Sequence, residues 1–189
     1  MMCEKARMRE IRERYHRAIE WQPMSEESRT LRRGQFERGI KLSREIEEHL
    51  GSLTDCDVLE LAMAHGGDTA AFAARGARMT GVDFRDLGMR QLINSLGDLC
   101  NVQCFVGDLN VGFPVKSGSF DGILALSVVS YINNLDQFYG ECVRVLRRPG
   151  WMVVFSELTF PHLRKDPFWQ LPGVSIISSE GDCRLLSGR

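Results

Sequence analysis

No apolar run in this chain approaches the roughly 20 residues that a membrane-spanning helix needs, which argues against a membrane protein. The first stretch, Met1 to Glu20, is charged throughout and has no apolar signal core, so the sequence points to a cytoplasmic location. A charge bias of either sign is also missing. The 24 basic residues face 25 acidic ones, for a net charge of −1. That balance points away from a nucleic-acid partner. Metal-knuckle spacing is absent too. The cysteines are Cys3, Cys56, Cys100, Cys104, Cys142 and Cys183, and Cys100 and Cys104 have neither a second pair nor a nearby His to complete a zinc set. No metal is expected, and buried reduced thiols are the better reading. Internal repeats and low-complexity tracts are lacking. What the chain does have is 43% apolar content over 189 residues, enough for one globular core.

Two helical segments come first. Ile11, Tyr15, Ala18 and Ile19 fall on one helical face, with Arg and Glu filling the other. The arginines Arg7, Arg9, Arg12, Arg14 and Arg17 interleave with Glu at helical spacing, the pattern of a self-paired solvated face. Ser25-Glu-Glu-Ser28 reads as a second helix start, and Phe36, Ile40, Ser43, Ile46 and Leu50 line its apolar face up to Gly51. From Asp57 onward, strand and helix alternate. Strands are expected over Val58–Leu61, Met79–Asp83, Val102–Val106, Gly122–Ser127 and Trp151–Ser156, and helices over Thr69–Arg75, Met89–Leu99 and Leu135–Leu146. Arg147-Arg-Pro-Gly150 is read as the turn that ends the last helix. The order predicts an α/β fold with a doubly wound, mostly parallel sheet, helices on both faces and an N-terminal helical extension. Residues 1–52 are expected to form that extension as a lid, and residues 53–189 the ligand-binding domain, together one folding unit. Val174–Ser178 and Cys183–Leu186 read either as an antiparallel hairpin around Glu180-Gly-Asp182 or as one edge strand and a frayed end.

Chemistry concentrates at the strand ends. Val58-Leu-Glu-Leu-Ala-Met-Ala-His-Gly66 is a buried strand ending in an acid, then a loop of small residues opening a helix. Gly81-Val-Asp-Phe84 ends the next strand in a second acid. Gly107-Asp-Leu-Asn110, with Phe113-Pro-Val-Lys-Ser-Gly-Ser-Phe-Asp121, forms a third block, and Arg144-Val-Leu-Arg-Arg-Pro-Gly150 a fourth. In this order and spacing, residues 55–157 resemble the cofactor-binding core of the Rossmann-like S-adenosylmethionine-dependent methyltransferases. The resemblance implies S-adenosylmethionine as cofactor, with S-adenosylhomocysteine as product, and a cofactor site of Glu60, Ala62, Ala64, Gly66, Asp83, Phe84, Asp108, Leu109 and Ser127.

Each role has a physical reason. One carboxylate at a strand end accepts from both hydroxyls of a ribose, which suits Asp83; its bland alternative is a helix-capping Asp. Phe84 offers an apolar face to adenine, or else packs in the core. Asp108 accepts from the adenine amino group while the Leu109 N–H reads the ring; alternatively Asp108 only forms a turn. Glu60, buried beneath the methionine end, attracts the ammonium. Arg33 and Arg38 can reach a carboxylate of cofactor or substrate, or else lie on a solvated helix face.

The loop departs from the family pattern. Ala62 and Ala64 stand where glycine is usual, which imposes strain of roughly 1–3 kcal/mol wherever the backbone needs a positive φ. The same change weighs against a nicotinamide protein, since only Gly67 satisfies G-x-G-x-x-G. Methyl transfer needs a nucleophile and methyl held in line, with a general base only when a proton must leave early. Ser130, Tyr131, Glu157 and His162 stand beyond the fourth and fifth strands, and His65 lies in the loop. Of these, Tyr131, Glu157 and His162 are the substrate-side expectation, and no residue is assigned as catalytic. The expected activity is in-line methyl transfer to a small-molecule acceptor. The competing readings are a non-catalytic, partner-binding member with a degenerate cofactor loop, and RNA modification aided by the Arg-rich first helix. The short tail after the fifth strand leaves room for an incomplete domain or a homodimer.

Overall fold

A computed structural model describes residues 4–155, 174–179 and 183–187. Two long helices lead, α1 (Glu4–Glu20) and α2 (Glu26–Leu50). Then come β1 (Asp57–Leu61), α3 (Gly67–Ala74), β2 (Arg78–Asp83), α4 (Leu87–Leu96), β3 (Val102–Val106), β4 (Phe120–Leu126), α5 (Leu135–Val145) and β5 (Leu146–Phe155). Strands β6 (Val174–Ser179) and β7 (Cys183–Ser187) complete the described elements. The sheet runs β3-β2-β1-β4-β5-β6-β7, with every pair parallel except β6–β7. The order reverses between β1 and β4, so the crevice at their carboxyl ends is the topological switch point, where ligands bind in open α/β sheets.

Strand alternation builds two cores from one sheet. Leu59, Leu61, Ile123, Ala125, Met152 and Val154 face α5, whose Phe138, Tyr139, Cys142 and Val145 pack against them. Val58, Leu124, Leu126, Trp151 and Val153 face the other way, onto Phe72 of α3 and Leu42 and Ile46 of α2. A sheet covered on both faces needs these near-continuous apolar strands. A third cluster joins Ile11, Tyr15 and Ile19 of α1 to Phe36 and Ile40 of α2, Ala70 and Ala71 of α3, and Met89, Leu92 and Leu96 of α4. Each large apolar side chain so buried contributes about 1.5–3 kcal/mol before entropy is charged. The extension is therefore anchored through its own apolar stripes.

Its orientation follows from polar contacts. Near the start of α1, Arg7 donates to the Ala73 carbonyl and Glu4 pairs with Arg75, both at the end of α3. A Cβ on Gly67, the first residue of α3, would meet the Tyr15 hydroxyl and the Gln35 side chain at 2.8 Å. So α1 and α2 flank α3, and residues 26–34 of α2 continue past its N-terminus. At 1.5 Å per residue that is roughly 13 Å of helix standing beyond the carboxyl edge.

Two expectations are corrected. Leu50 is 42% exposed rather than on the buried stripe; the sheet face that receives Leu42 and Ile46 ends before it. Residues 147–150 are not a turn after α5: the helix stops at Val145 and β5 begins at once, with Leu146 opposite Phe120 and a register shift before Gly122. Arg147 pairs with Asp57 and Asp121 at 2.8 Å each, holding this segment extended along the sheet. Proline is tolerated in a strand at such an irregularity. The β6–β7 pairing agrees with the hairpin reading of the sequence, its expected turn residues lying outside the described set.

Candidate functional site

The ends of β1 and β2 are pinned together. The Ala62 and Met63 amides donate to the Val82 carbonyl, and the Ala64 amide donates to Asp83 Oδ2 at 2.9 Å. The Arg85 amide donates to Asp83 Oδ1 at 3.0 Å. Asp83 is buried, with one lone-pair direction used on each oxygen, so capacity for two further donors remains. It does not cap α4; the N-cap position there is Asp86, which makes no capping bond.

The loop turns through the left-handed region. Ala62 has φ 58°, Ala64 51° and Gly66 71°. Only glycine adopts this freely, so both alanines carry strain at the positions where the family pattern has glycine. Close packing leaves little alternative: a Cβ on Gly88, in the first turn of α4, would sit 2.3 Å from the Ala64 carbonyl oxygen. The loop is thus clamped from the α4 side by a residue without a side chain. Ser127, at the end of β4, also has a positive φ of 59°.

Beneath the loop lies a buried acid pair. Glu60 is 3% exposed and accepts a short hydrogen bond from the Thr69 hydroxyl. Burial, then the charge of Asp68, pushes its carboxyl above the ordinary range. Asp68 is also buried and also raised by burial, against the opposing pull of Arg38. Arg38 holds Asp68 through both oxygens, Nε to Oδ1 at 3.2 Å and Nη2 to Oδ2 at 2.6 Å. Arg38, a candidate for a ligand carboxylate, is therefore engaged by the protein. Arg33 pairs with Glu20 and Glu26 on the helical hairpin.

The rim is more open. Phe84 is 66% exposed, with the Arg85 guanidinium 4.8 Å from its ring centroid. Exposure removes the core-packing alternative. Asp108 Oδ1 accepts from the Asn110 amide at 2.9 Å, so the turn role is real, and its second oxygen is outside that turn. Leu109 is buried in the α5-side core. Ser130 is exposed and Tyr131 is 76% exposed, which puts the phenol on the rim. Asn110 ties the two rim loops together, donating to the Tyr131 carbonyl and accepting from the Asn133 amide. Glu157 and His162 lie outside the described residues. His65 is half-buried, and its Nδ1 is enclosed without a hydrogen-bond partner. Burial, then Arg32 and Arg85, lowers its pKa, so the imidazole is neutral at pH 7.

The structure thus gathers Glu60, Ala62, Ala64, Gly66, Asp83, Phe84, Asp108 and Ser127 at one carboxyl edge. Asp68, Gly88 and Asn110 join them with no role assigned by the sequence, as does the pairing of Arg38 with Asp68. A cavity of about 670 Å³ lies elsewhere, on the β2–β3 face between Thr80, Phe105, Phe113 and Arg144.

The family model of a methyltransferase domain matches residues 59–154 of this chain, from the middle of β1 to the penultimate residue of β5. The chain belongs to the Rossmann-like, S-adenosylmethionine-dependent methyltransferase family. A demethylmenaquinone methyltransferase of Tropheryma whipplei is 29% identical over 122 residues, 65% of this chain and 50% of that protein. The chain spans about half the length of the curated relatives it matches. Among solved structures, a proposed S-adenosyl-L-methionine-dependent methyltransferase from Methanococcus maripaludis superposes with a TM-score of 0.57 at 18% identity, covering 71% of this chain and 67% of that one. A proposed sarcosine dimethylglycine methyltransferase from Galdieria sulphuraria gives 0.54 at 19% identity, covering 61% and 45%. These two likenesses establish the shared fold. Family membership carries the expected fold class and the implied cofactor type. No helix among the described residues is long and apolar enough to cross a membrane.

Proposed function

We propose that this family member binds S-adenosylmethionine at the β1–β2 edge and transfers its methyl group to a small-molecule acceptor. The observation that carries the reading is Asp83, a buried carboxylate at a strand end, oriented by two backbone amides and retaining capacity for two more donors. A ribose diol is the group that uses such capacity. The donor set fits the cofactor elsewhere too. Glu60 offers a carboxyl group that an ammonium would draw toward its ionised form, the exposed Phe84 an apolar face to adenine, and Asp108 with the Leu109 amide a hydrogen-bonding edge. Ala62, Ala64 and Gly66 supply the backbone turn that approaches the methionine arm, and Ser127 borders it from β4.

When bound, the cofactor supplies an electrophilic methyl group, whose bonding pair stays with sulfur as the acceptor bond forms. The chain's part is to hold the two in line and exclude water. The α1–α2 hairpin, standing over the edge, serves as the lid. On the acceptor side Tyr131 forms the rim, and a neutral His65 can take a proton from an acceptor that must lose one. The T. whipplei relative, named for demethylmenaquinone, supports an organic acceptor.

The second reading, a partner-binding member without catalysis, draws on Ala62 and Ala64, whose positive φ values strain the loop. RNA modification draws on the Arg-rich first helix, where Arg12 and Arg14 pair with Glu37 and Glu10. A thermal melt with and without S-adenosylhomocysteine separates the first two. Ligand at a hundredfold its dissociation constant adds about 2.7 kcal/mol to the native state. A rise in Tm that disappears in Asp83→Ala supports the enzyme. No rise at millimolar ligand supports the partner-binding protein.

A further inference from the structure

Most arginines around the cleft are neutralised by the protein: Arg29, Arg33, Arg38 and Arg90 all pair with carboxylates. Arg32 and Arg85 have no carboxylate partner among the described residues. Arg32 donates Nη1 to Gln35 Oε1, while its Nε is enclosed with no acceptor. Its backbone carbonyl accepts from the Tyr15 hydroxyl, which abuts Gly67, so Arg32 stands beside the exit of the cofactor loop. Arg85 stands beside its entrance, its amide on the same Asp83 carboxylate that holds Ala64. His65 lies between them in the loop. Burial, then Arg32 and Arg85, lowers the pKa of His65, and burial, with Arg85 adding to it, lowers that of Arg32.

A half-buried cation such as Arg32 is costly unless something negative joins it, while Arg85 is exposed, with its guanidinium over the Phe84 ring. Each has an exposed apolar neighbour in sequence. Leu31 precedes Arg32 and is 60% exposed, and Phe84 precedes Arg85. Leu31 continues the stripe Leu31, Gln35, Arg38, Leu42, Ile46, whose lower members pack on Phe72, Leu124 and Val153, so at its upper end it faces the space over the sheet edge. Resting on the methyltransferase reading above, we propose that Arg32 and Arg85 form a subsite for an acid group on the methyl acceptor. The acceptor is then an apolar molecule carrying a carboxylate or comparable anion, its body against Leu31. The cofactor's own methionine carboxylate shares this chemistry, and the experiment must tell the two sources apart.

The test uses calorimetric titration of the full chain. Wild type is first titrated with S-adenosylhomocysteine and with 5′-methylthioadenosine, which lacks the methionine carboxylate. The protein saturated with S-adenosylhomocysteine is then titrated with naphthalene-2-carboxylate and its neutral carboxamide. The expected result is at least about tenfold tighter binding of the acid, a preference lost in Arg32→Gln and Arg85→Gln and kept in Arg44→Gln, at an exposed position of α2. Arg32→Gln should bind S-adenosylhomocysteine as wild type does, and an unchanged circular-dichroism melt shows that both variants fold. Equal binding of acid and amide, or no binding of the acid at millimolar concentration, overturns the subsite. So does a loss of S-adenosylhomocysteine affinity in these variants with methylthioadenosine unaffected, which would assign the arginines to the cofactor. If wild type binds no S-adenosylhomocysteine, the underlying methyltransferase reading fails first, and the subsite with it.

Discussion

The two sides of the cleft are built differently. On the β1–β2 side, Glu60, Asp68 and Asp83 are buried, Asp83 holds the loop amide of Ala64, and α4 presses a glycine against the same residue. On the β3–β4 side, Ser130 and Tyr131 are exposed, and the Asn110 side chain bridges the loops. A cofactor common to a whole family can be met by a packed, pre-organised wall. An acceptor that differs between members is met by loops whose side chains the core does not constrain.

The largest expected effect tests how tightly the packed side is clamped. Gly88→Val puts carbon into the space of the Ala64 carbonyl. It should cost about 2–3 kcal/mol in urea unfolding and abolish S-adenosylhomocysteine binding. A variant of wild-type stability would show that the loop is not fixed from α4. Next comes Asp83→Ala, which should weaken S-adenosylhomocysteine by about 1–3 kcal/mol in calorimetry, because buried hydroxyls lose their acceptor. Unchanged affinity would remove Asp83 from the site.

Glu60→Gln probes the buried acid pair through pH. The folded-state pKa of Glu60 lies above its unfolded value, so folding favours its protonated form. Stability is therefore greatest below the ordinary carboxylate range and falls as pH rises through the unfolded pKa toward the raised folded one. Melts between pH 4 and pH 8 should show a shallower fall for the Gln variant than for wild type. Parallel curves would mean that Glu60 is not the group responsible. A smaller effect is expected at the strained loop. Ala64→Gly, relieving a φ of 51°, should raise stability by about 0.5–1 kcal/mol, and a loss of stability would place that alanine outside the left-handed region. Smallest is Phe84→Ala. Its ring is exposed, so unfolding should shift by less than about 0.5 kcal/mol while S-adenosylhomocysteine affinity declines. A large stability loss would return Phe84 to the core.

Much of the packed side was legible because its signals are local. The apolar run ending in Glu60, the small-residue loop and the acid closing β2 all fall within one βαβ unit, where strand and helix periods declare themselves over a few residues. The missed partners are distant in sequence. Arg38 meets Asp68 across 30 positions, and Asn110 reaches Tyr131 across 21. Asp68, read alone, is only an acid in the first turn of a helix, the commonest of placements. Gly88 gave no sign of its role, since one glycine near a helix start has many uses until its neighbour is known.

The sequence by itself determined the order of strands and helices, the faces they bury and the acids that end β1 and β2, because periodicity and strand-end chemistry are short-range properties of the chain. Tertiary structure decided the rest. It set the positive φ of Ala62 and Ala64, pinned Asp83 to the loop, spent Arg38 on Asp68 and left Arg32 and Arg85 with no carboxylate partner among the described residues. Each of these depends on which elements become neighbours when the sheet closes its core, and packing fixes that only once the whole chain has folded.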